Sequence, residues 1–233
     1  MALPFFYITE FDPSKKEIVL DEDTSKHIVQ VLRMKEGEQL NLTDGKGDLI
    51  MTEITDAHKK HCKVKIQDTR HKEQGGRKIT IAISLLKNTN RFEWFLEKAT
   101  EIGVSEIIPL ICERTEKEKF RLERMNGILI SAMLQSQQCW LPKLHERQDF
   151  NQSIKQSNQQ QKFIAHCAEG NKSQLTNNPI NQSTIVLIGP EGDFTKDEID
   201  LALQNNFIPV SLGETRLRVE TAGVVAATLL SLV

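Results

Sequence analysis

The sequence predicts an α/β protein of two modules: a small β-rich module, then a larger one built on a mainly parallel sheet. Three observations lead there. Up to about residue 70 the apolar residues fall in short, strand-like runs. A polar stretch, DTRHKEQGGRK at 68–78, then interrupts them, and Gly75 with Gly76 marks the natural boundary. Beyond it strand-like and helix-like segments alternate, the pattern of a parallel sheet covered on both faces. The expected domains are therefore residues 1–74 and 75–233.

In the first module, FFYI at 5–8 and IVL at 18–20 are apolar runs. Asp23, Thr24 or Ser25 can cap a helix whose apolar face is Ile28, Val31 and Leu32. QLNLT at 39–43 alternates as a strand does, and Asp44, Gly45, Lys46 and Gly47 make a turn. Strands over 49–54 and 62–66 complete a small barrel or curled sheet.

In the second module, 79–86 is a buried strand. Asn90 is placed to cap the next helix, with Glu93 at the capping-box position and Gly103 as the stop. Its apolar side is Phe92, Phe95, Leu96, Ala99 and Ile102. A strand over 107–111 and a helix over 121–138 follow. Further strands are expected at 163–167, 184–188 and 208–212, and helices at 197–207 and 220–232. Residues 151–183, rich in Gln and Asn around the short strand, read as a flexible surface connection. No internal repeat is present.

Composition narrows the function classes. A chain of 233 residues suits one large or two modest domains. With 39% hydrophobic and 27% charged residues it can build a packed core, which argues against wholesale disorder. The net charge of −2 means that a nucleic-acid partner must meet a local basic surface. Aromatic residues at 6% do not suit a broad base-stacking platform. Cys62, Cys112, Cys139 and Cys167 form no C-x-x-C pair, and His27 has no partner at ligand spacing, so no metal is expected. Trp94 and Trp140 read as core or interface anchors. MALPFFYITEFDP lacks a signal-peptide pattern, and the apolar tail at 219–233 is broken by Glu220 and Thr221. It falls short of the ~20 apolar residues a membrane span needs. A soluble, cytoplasmic protein with no membrane partner is expected.

Two segments carry the chemistry. In LIGPEGDFTKDEI (187–199) a hydrophobic strand runs into a stiff, glycine-flanked loop, and Thr195 with Glu198 forms a capping box. Gly189 and Gly192 would let a ligand approach the backbone, beyond the carboxyl ends of strands where open α/β sheets bind ligands. An ordinary strand-to-helix turn is the alternative. In LGETRLRVETA (212–222) a strand ends in a glycine, Arg216 and Arg218 follow, and an apolar helix begins with Glu220 in its first turn. Neither segment is a dinucleotide fingerprint or a triphosphate loop.

Together these segments resemble the ribosomal RNA small subunit methyltransferase E family. The likeness extends to EKATEIGV at 97–104, ERT at 113–115, Gln135 and Ser136 with Pro142, and, in the first module, His27 and Ile28, VLRM at 31–34, Gly37, Asp44 and Gly45. Departures are Leu134, Gln137 and Gln138 where the family has glutamate, glycine and arginine, and Asp193 where glycine is usual. The resemblance implies a SPOUT-type α/β domain with a deep trefoil knot, behind a PUA-like β-barrel that binds RNA. It implies S-adenosylmethionine as cofactor and methylation of N3 of a uridine in 16S rRNA, with free RNA or the assembled 30S subunit as partner. A homodimer is implied as well, for which Trp140 and the apolar residues of the last helix are candidate contacts.

Carried onto this chain, the cofactor residues are Ile188, Gly189, Pro190, Glu191, Gly192, Leu212, Gly213, Leu217, Arg218, Thr221 and Ala222, with Leu85 at a neighbouring strand end. Arg218 is the candidate for stabilising the developing anion on the base or for meeting a phosphate. Glu220 is a candidate proton acceptor; a helix cap or a partner for Arg218 is its other reading. Lys59, Lys60, Lys63, Lys65 and Arg70, with Arg33, Lys35 and Lys46, are the candidate RNA contacts, a solvated strand face being the alternative. Two other functions compete: a non-catalytic RNA-binding or ribosome-assembly factor on the same fold, and a nucleotide-dependent small-molecule enzyme, which would need a phosphate-cradling loop.

Overall fold

The computed structural model describes residues 3–75, 77–116, 119–178 and 182–232. Gly76 of the expected boundary, residues 179–181 of the Gln/Asn-rich connection and the terminal Val233 lie outside the described residues. The chain forms two compact units, Met1–Gln74 with Met133–Leu141, and Gly75–Ala132 with Pro142–Val233.

The first unit holds β1 (Phe5–Tyr7), β2 (Glu17–Val19), α1 (Glu22–Lys26), a π-helical turn (His27–Val31), β3 (Gln39–Thr43), β4 (Asp48–Asp56) and β5 (Lys63–His71). They make a five-stranded sheet in the order β1-β3-β4-β5-β2, antiparallel except for β1 beside β3. Register shifts in β4 and β5, after Met51 and after Ile54, bend it. Inward residues such as Leu40, Leu42, Ile50, Ile54 and Val64 form its core with Phe6 and Ile28. The cap of α1 is Asp21, whose carboxylate accepts from the Thr24 N–H, rather than Asp23, Thr24 or Ser25. Switching to π geometry turns the expected apolar face apart: Ile28 is buried, while Val31 and Leu32 are exposed. Trp140 is pinned in this unit. Its indole N–H donates to the Lys72 carbonyl at 2.7 Å, and its backbone bridges Lys46.

The second unit comprises β6 (Ile79–Ser84), α2 (Thr89–Ile102), β7 (Glu106–Ile111), α3 (Leu122–Gln135, whose last turn belongs to the first unit), β8 (Lys143–Leu144), β9 (Gln148–Asp149), α4 (Phe150–Gln156), β10 (Gln161–Ala165), β11 (Ser173–Gln174), β12 (Thr184–Ile188), α5 (Lys196–Gln204), β13 (Ile208–Ser211) and α6 (Val219–Leu232). The sheet runs β11-β13-β10-β12-β6-β7-β8, with β9 also on β7, and every pairing is parallel. All five residues of β12 are buried, as a central parallel strand requires. On one face Ala82, Ile185 and Leu187 join Phe150, Ile154, Ile199 and Ala202, under α4 and α5. On the other, α6 packs on α2, β6 and β12. There Gly223 lets α6 approach: a Cβ on it would stand 2.6 Å from the Phe95 ring and 2.9 Å from Ile83 Cδ1.

Three readings of this unit are corrected. Asn88, not Asn90, caps α2: its side chain accepts from the Asn90 N–H. Glu93 is no capping-box partner; Arg124 binds it with two hydrogen bonds of 2.6 and 2.9 Å and holds its carboxyl below the usual carboxylate range. Residues 151–183 are not one flexible connection, because most of α4 lies there with Ser153 and Ile154 buried. Of the two readings of Trp94, core or interface anchor, the core one does not hold: it is 43% exposed on α2.

The chain order places the site. From β12 the chain passes beyond β10 to reach β13, and α6 then returns to the β12–β6 face. The connection at 212–218 thus runs back past the carboxyl ends of β13, β10 and β12. Among the described residues no helix is long and apolar enough to cross a membrane.

Candidate methyl-donor cleft

At those carboxyl ends lies a cleft of about 660 Å³, within the range of small-molecule sites. β12 and its loop contribute Ile188, Gly189, Pro190, Glu191 and Asp193; β13 and its loop contribute the chain from Val210 to Leu217. The start of α6 adds Arg218, Val219, Glu220 and Ala222. Both predicted segments therefore meet in one cavity. Leu85, Gly192 and Thr221, also expected at the cofactor, do not line it. Leu85 is buried with its N–H on the Leu110 carbonyl, and the Gly192 carbonyl accepts from Arg114 at 2.7 Å.

The third wall was not expected. Ala165, His166, Cys167 and Lys172, at and beyond the end of β10, line the cleft, and so does Arg91 of α2. The strand expected at 163–167 is present two residues earlier, as β10; its position between β13 and β12, which brings its end to the same cavity, is not legible in the sequence.

Two glycines behave differently from the simple expectation. Gly189 makes room for protein: a Cβ there would lie 3.0 Å from the Phe194 ring. Gly213 keeps space open: its φ is +147° and a Cβ would meet nothing within 4 Å among the described residues. Apolar surface comes from Ile188, Leu212, Leu217 and Ala222. The lining charges are Arg91, Lys172, Arg216 and Arg218 against Glu191, Asp193, Glu214 and Glu220. Such a balance suits a zwitterionic ligand better than a polyphosphate, which calls for a cationic cradle.

Glu220 is 7% exposed in the first turn of α6, where the helix dipole favours a carboxylate. Its Oε1 is 3.7 Å from Arg91 Nε, and its buried Oε2 has no hydrogen-bond partner among the described residues. Arg91 Nη1 also lies 3.8 Å from Glu191 Oε1. Glu220 is thus held by Arg91, while Arg218 is exposed on the rim. His166 has its pKa lowered by burial and by neighbouring Lys172, against the pull of Asp193.

In the first unit the expected RNA contacts are spread. Lys63 and Lys65 point outward from β5, alternating with buried Val64 and half-buried Ile66. Lys15 and Lys16, which sequence reasoning passed over, share a hollow with Glu17 and Lys65. Lys59 and Lys60 are exposed just before β5, and Arg70 near its end. Lys60 lies 4.0 Å from Glu22, Lys63 4.0 Å from Asp56, and Arg70 3.0 Å from Asp68. Arg33 and Lys35 follow the π turn, and Lys46 sits in the β3–β4 turn.

Comparison with known proteins agrees with this architecture. An RNA methyltransferase domain model matches residues 72–231, and an RNA methyltransferase PUA domain model matches 20–67. The ribosomal RNA small subunit methyltransferase E of Synechocystis sp. is 30% identical over 208 residues, covering 86% of this chain and 68% of that protein. A crystal structure from Porphyromonas gingivalis, described as a probable rRNA-methyltransferase, superposes with a TM-score of 0.89 at 38% identity, over 97% of this chain and 95% of that one. The ribosomal RNA small subunit methyltransferase E of Neisseria gonorrhoeae, solved bound to S-adenosyl methionine, gives 0.87 at 27% identity, over 97% and 95%. The chain, with its PUA-like first unit and its parallel-sheet second unit, therefore belongs to the ribosomal RNA small subunit methyltransferase E family.

Proposed function

We propose that this protein transfers a methyl group from S-adenosylmethionine to N3 of a uridine in 16S rRNA. The observation that carries the reading is the convergence of the 188–191 and 212–222 segments on one cleft with matched opposite charges. The cleft fits the donor. Open space at Gly213 and the apolar Ile188, Leu212, Leu217 and Ala222 suit an adenosine, and the charged rim suits the amino-acid end. When bound, the donor would supply an electrophilic methyl on a sulfonium.

The chain's own residues do the rest. Uracil N3 is an imide N–H, so the base must release a proton to solvent and carry negative charge on its ring oxygens until the methyl bond forms. Arg218, permanently charged and exposed at the rim, is assigned to that charge. Glu220 is assigned to electrostatic positioning: buried at the helix start, it holds Arg91 in the lining of the cleft. The threading of α6 behind β12 is assigned as a trefoil knot, a rare topology. The exposed lysines of β5 with Lys15 and Lys16, Lys59 and Lys60, Arg70, Arg33, Lys35 and Lys46 are assigned to RNA phosphates. The boundary near residue 75 is taken to separate RNA-binding from methyl transfer. Half-buried Val224, Val225 and Leu229 on α6 are taken as the contact of a homodimer, and a cytoplasmic location follows from the substrate.

Calorimetric titration with S-adenosylmethionine, paired with transfer of labelled methyl to unmodified small subunits or their RNA, tests this. Wild type should bind and transfer; Arg218→Ala should keep its fold and lose most turnover. Binding without transfer by wild type would favour the non-catalytic RNA-binding alternative, and near-normal transfer by Arg218→Ala would remove that residue's role. Glu220→Gln with a fall confined to kcat and a changed pH profile would move the proton-accepting role to Glu220.

A further inference from the structure

Asp193 occupies a backbone conformation that an L-residue pays strain to adopt, with φ of +64°. Its side chain accounts for its presence there. Oδ2 accepts the Cys167 N–H at 2.8 Å, and Oδ1 accepts the Phe194 N–H at 2.9 Å. The first bond spans 26 residues and ties the end of β10 to the loop that follows β12. The same β10 end is gathered by Lys172, whose ammonium donates to the His166 and Ala168 carbonyls at 2.9 and 2.7 Å. His166, Cys167, Lys172 and Asp193 all line the cleft.

We propose that Asp193 is a positioning residue, whose carboxylate clasps the His166–Cys167 wall onto the 189–194 loop and so preshapes the cleft for its ligand. Naming that ligand S-adenosylmethionine rests on the function proposed above; the clasp itself does not. A glycine would adopt this φ without strain but would leave the Cys167 N–H unclasped and the β10 end held from one side only. Ordering that wall would then be charged to each binding event, which lowers affinity.

The test compares wild type with Asp193→Gly and Asp193→Asn. Glycine keeps the backbone conformation and removes both acceptors; asparagine keeps the conformation and one carbonyl oxygen. Peptide-level hydrogen exchange over 164–170, without ligand, should show the Cys167 amide exchanging about tenfold faster in Asp193→Gly. The Kd for S-adenosylmethionine should rise about tenfold, the loss in kcat/KM should be carried mainly by KM, and Asp193→Asn should fall between glycine and wild type. Thermal stability of Asp193→Gly should be unchanged or higher, since strain is relieved. Faster exchange with an unchanged Kd would overturn the positioning role, and so would unchanged exchange. A wild-type protein that binds no S-adenosylmethionine at all would refute the proposed function instead, leaving the exchange result to decide the clasp.

Discussion

Gly223→Ala is the sharpest test of how α6 is seated. The added methyl would stand 2.6 and 2.8 Å from the Phe95 ring and 2.9 Å from Ile83 Cδ1, where carbon contacts are normally about 3.5–4.0 Å. Phe95 and Ile83 are fully buried, so α6 must lift by roughly 1 Å or the ring must turn. Overpacking of this kind costs about 1–3 kcal/mol. Alanine returns up to about 1 kcal/mol of helix propensity relative to glycine. With the full return, the net loss is about 0–2 kcal/mol, a fall in Tm of up to roughly 8 °C for a protein of this size. Gly127→Ala is the matched control. It too lies within a helix, but a Cβ there meets nothing within 4 Å among the described residues, so the propensity gain should appear alone as a small rise in Tm. Denaturant and thermal unfolding of both variants, with S-adenosylmethionine binding, make the assay. Gly223→Ala should also weaken binding, because the first turn of α6 carries Glu220 and Ala222 into the cleft. A Gly223→Ala protein as stable as Gly127→Ala would refute close packing of α6 on α2 and β6.

Three further outcomes are expected. His166 has its pKa lowered when folded, so the unfolded chain binds its proton more readily. Its contribution is complete above the ordinary value of about 6.5 and is lost as pH falls below it; Tm measured from pH 7.5 to 5.5 should decline less in His166→Gln than in wild type. Burial raises the pKa of Cys62, Cys112 and Cys139, whereas Cys167 is exposed; a thiol reagent should titrate one cysteine per native chain, and a count above two would contradict the burial. Affinity for small-subunit RNA should fall steeply between 50 and 200 mM salt if several phosphates are contacted; a flat response would remove the lysines of β5 from the interface.

Much of the fold was legible because the local signals agree with the tertiary arrangement. TIVLI reads as a buried strand and is one at every position, and Thr195 with Glu198 forms the expected capping box. Misreadings fall where two local signals compete. Asp21 and Asn88 cap their helices ahead of other polar residues that cap equally well on paper. The π turn at His27–Val31 breaks the 3.6-residue period that would bury Val31 and Leu32 beside Ile28. The cleft was half legible. Its two glycine-marked loops stand out in the sequence, but the wall from β10 depends on strand order, which local pattern does not encode. Asp193 and Gln137, where the family resemblance leads one to expect glycine, both adopt positive φ; only the structure shows that the Asp193 carboxylate accepts a hydrogen bond from the distant Cys167 N–H.

The most direct measurement is the identity of the methylated product. Small subunits lacking the modification are incubated with the protein and labelled S-adenosylmethionine, and their RNA is digested to nucleosides. The label is expected in 3-methyluridine at a single site, and should be strongly reduced with Arg218→Ala. Label on a ribose hydroxyl or on another base, or no transfer by a protein that binds the donor, would contradict it.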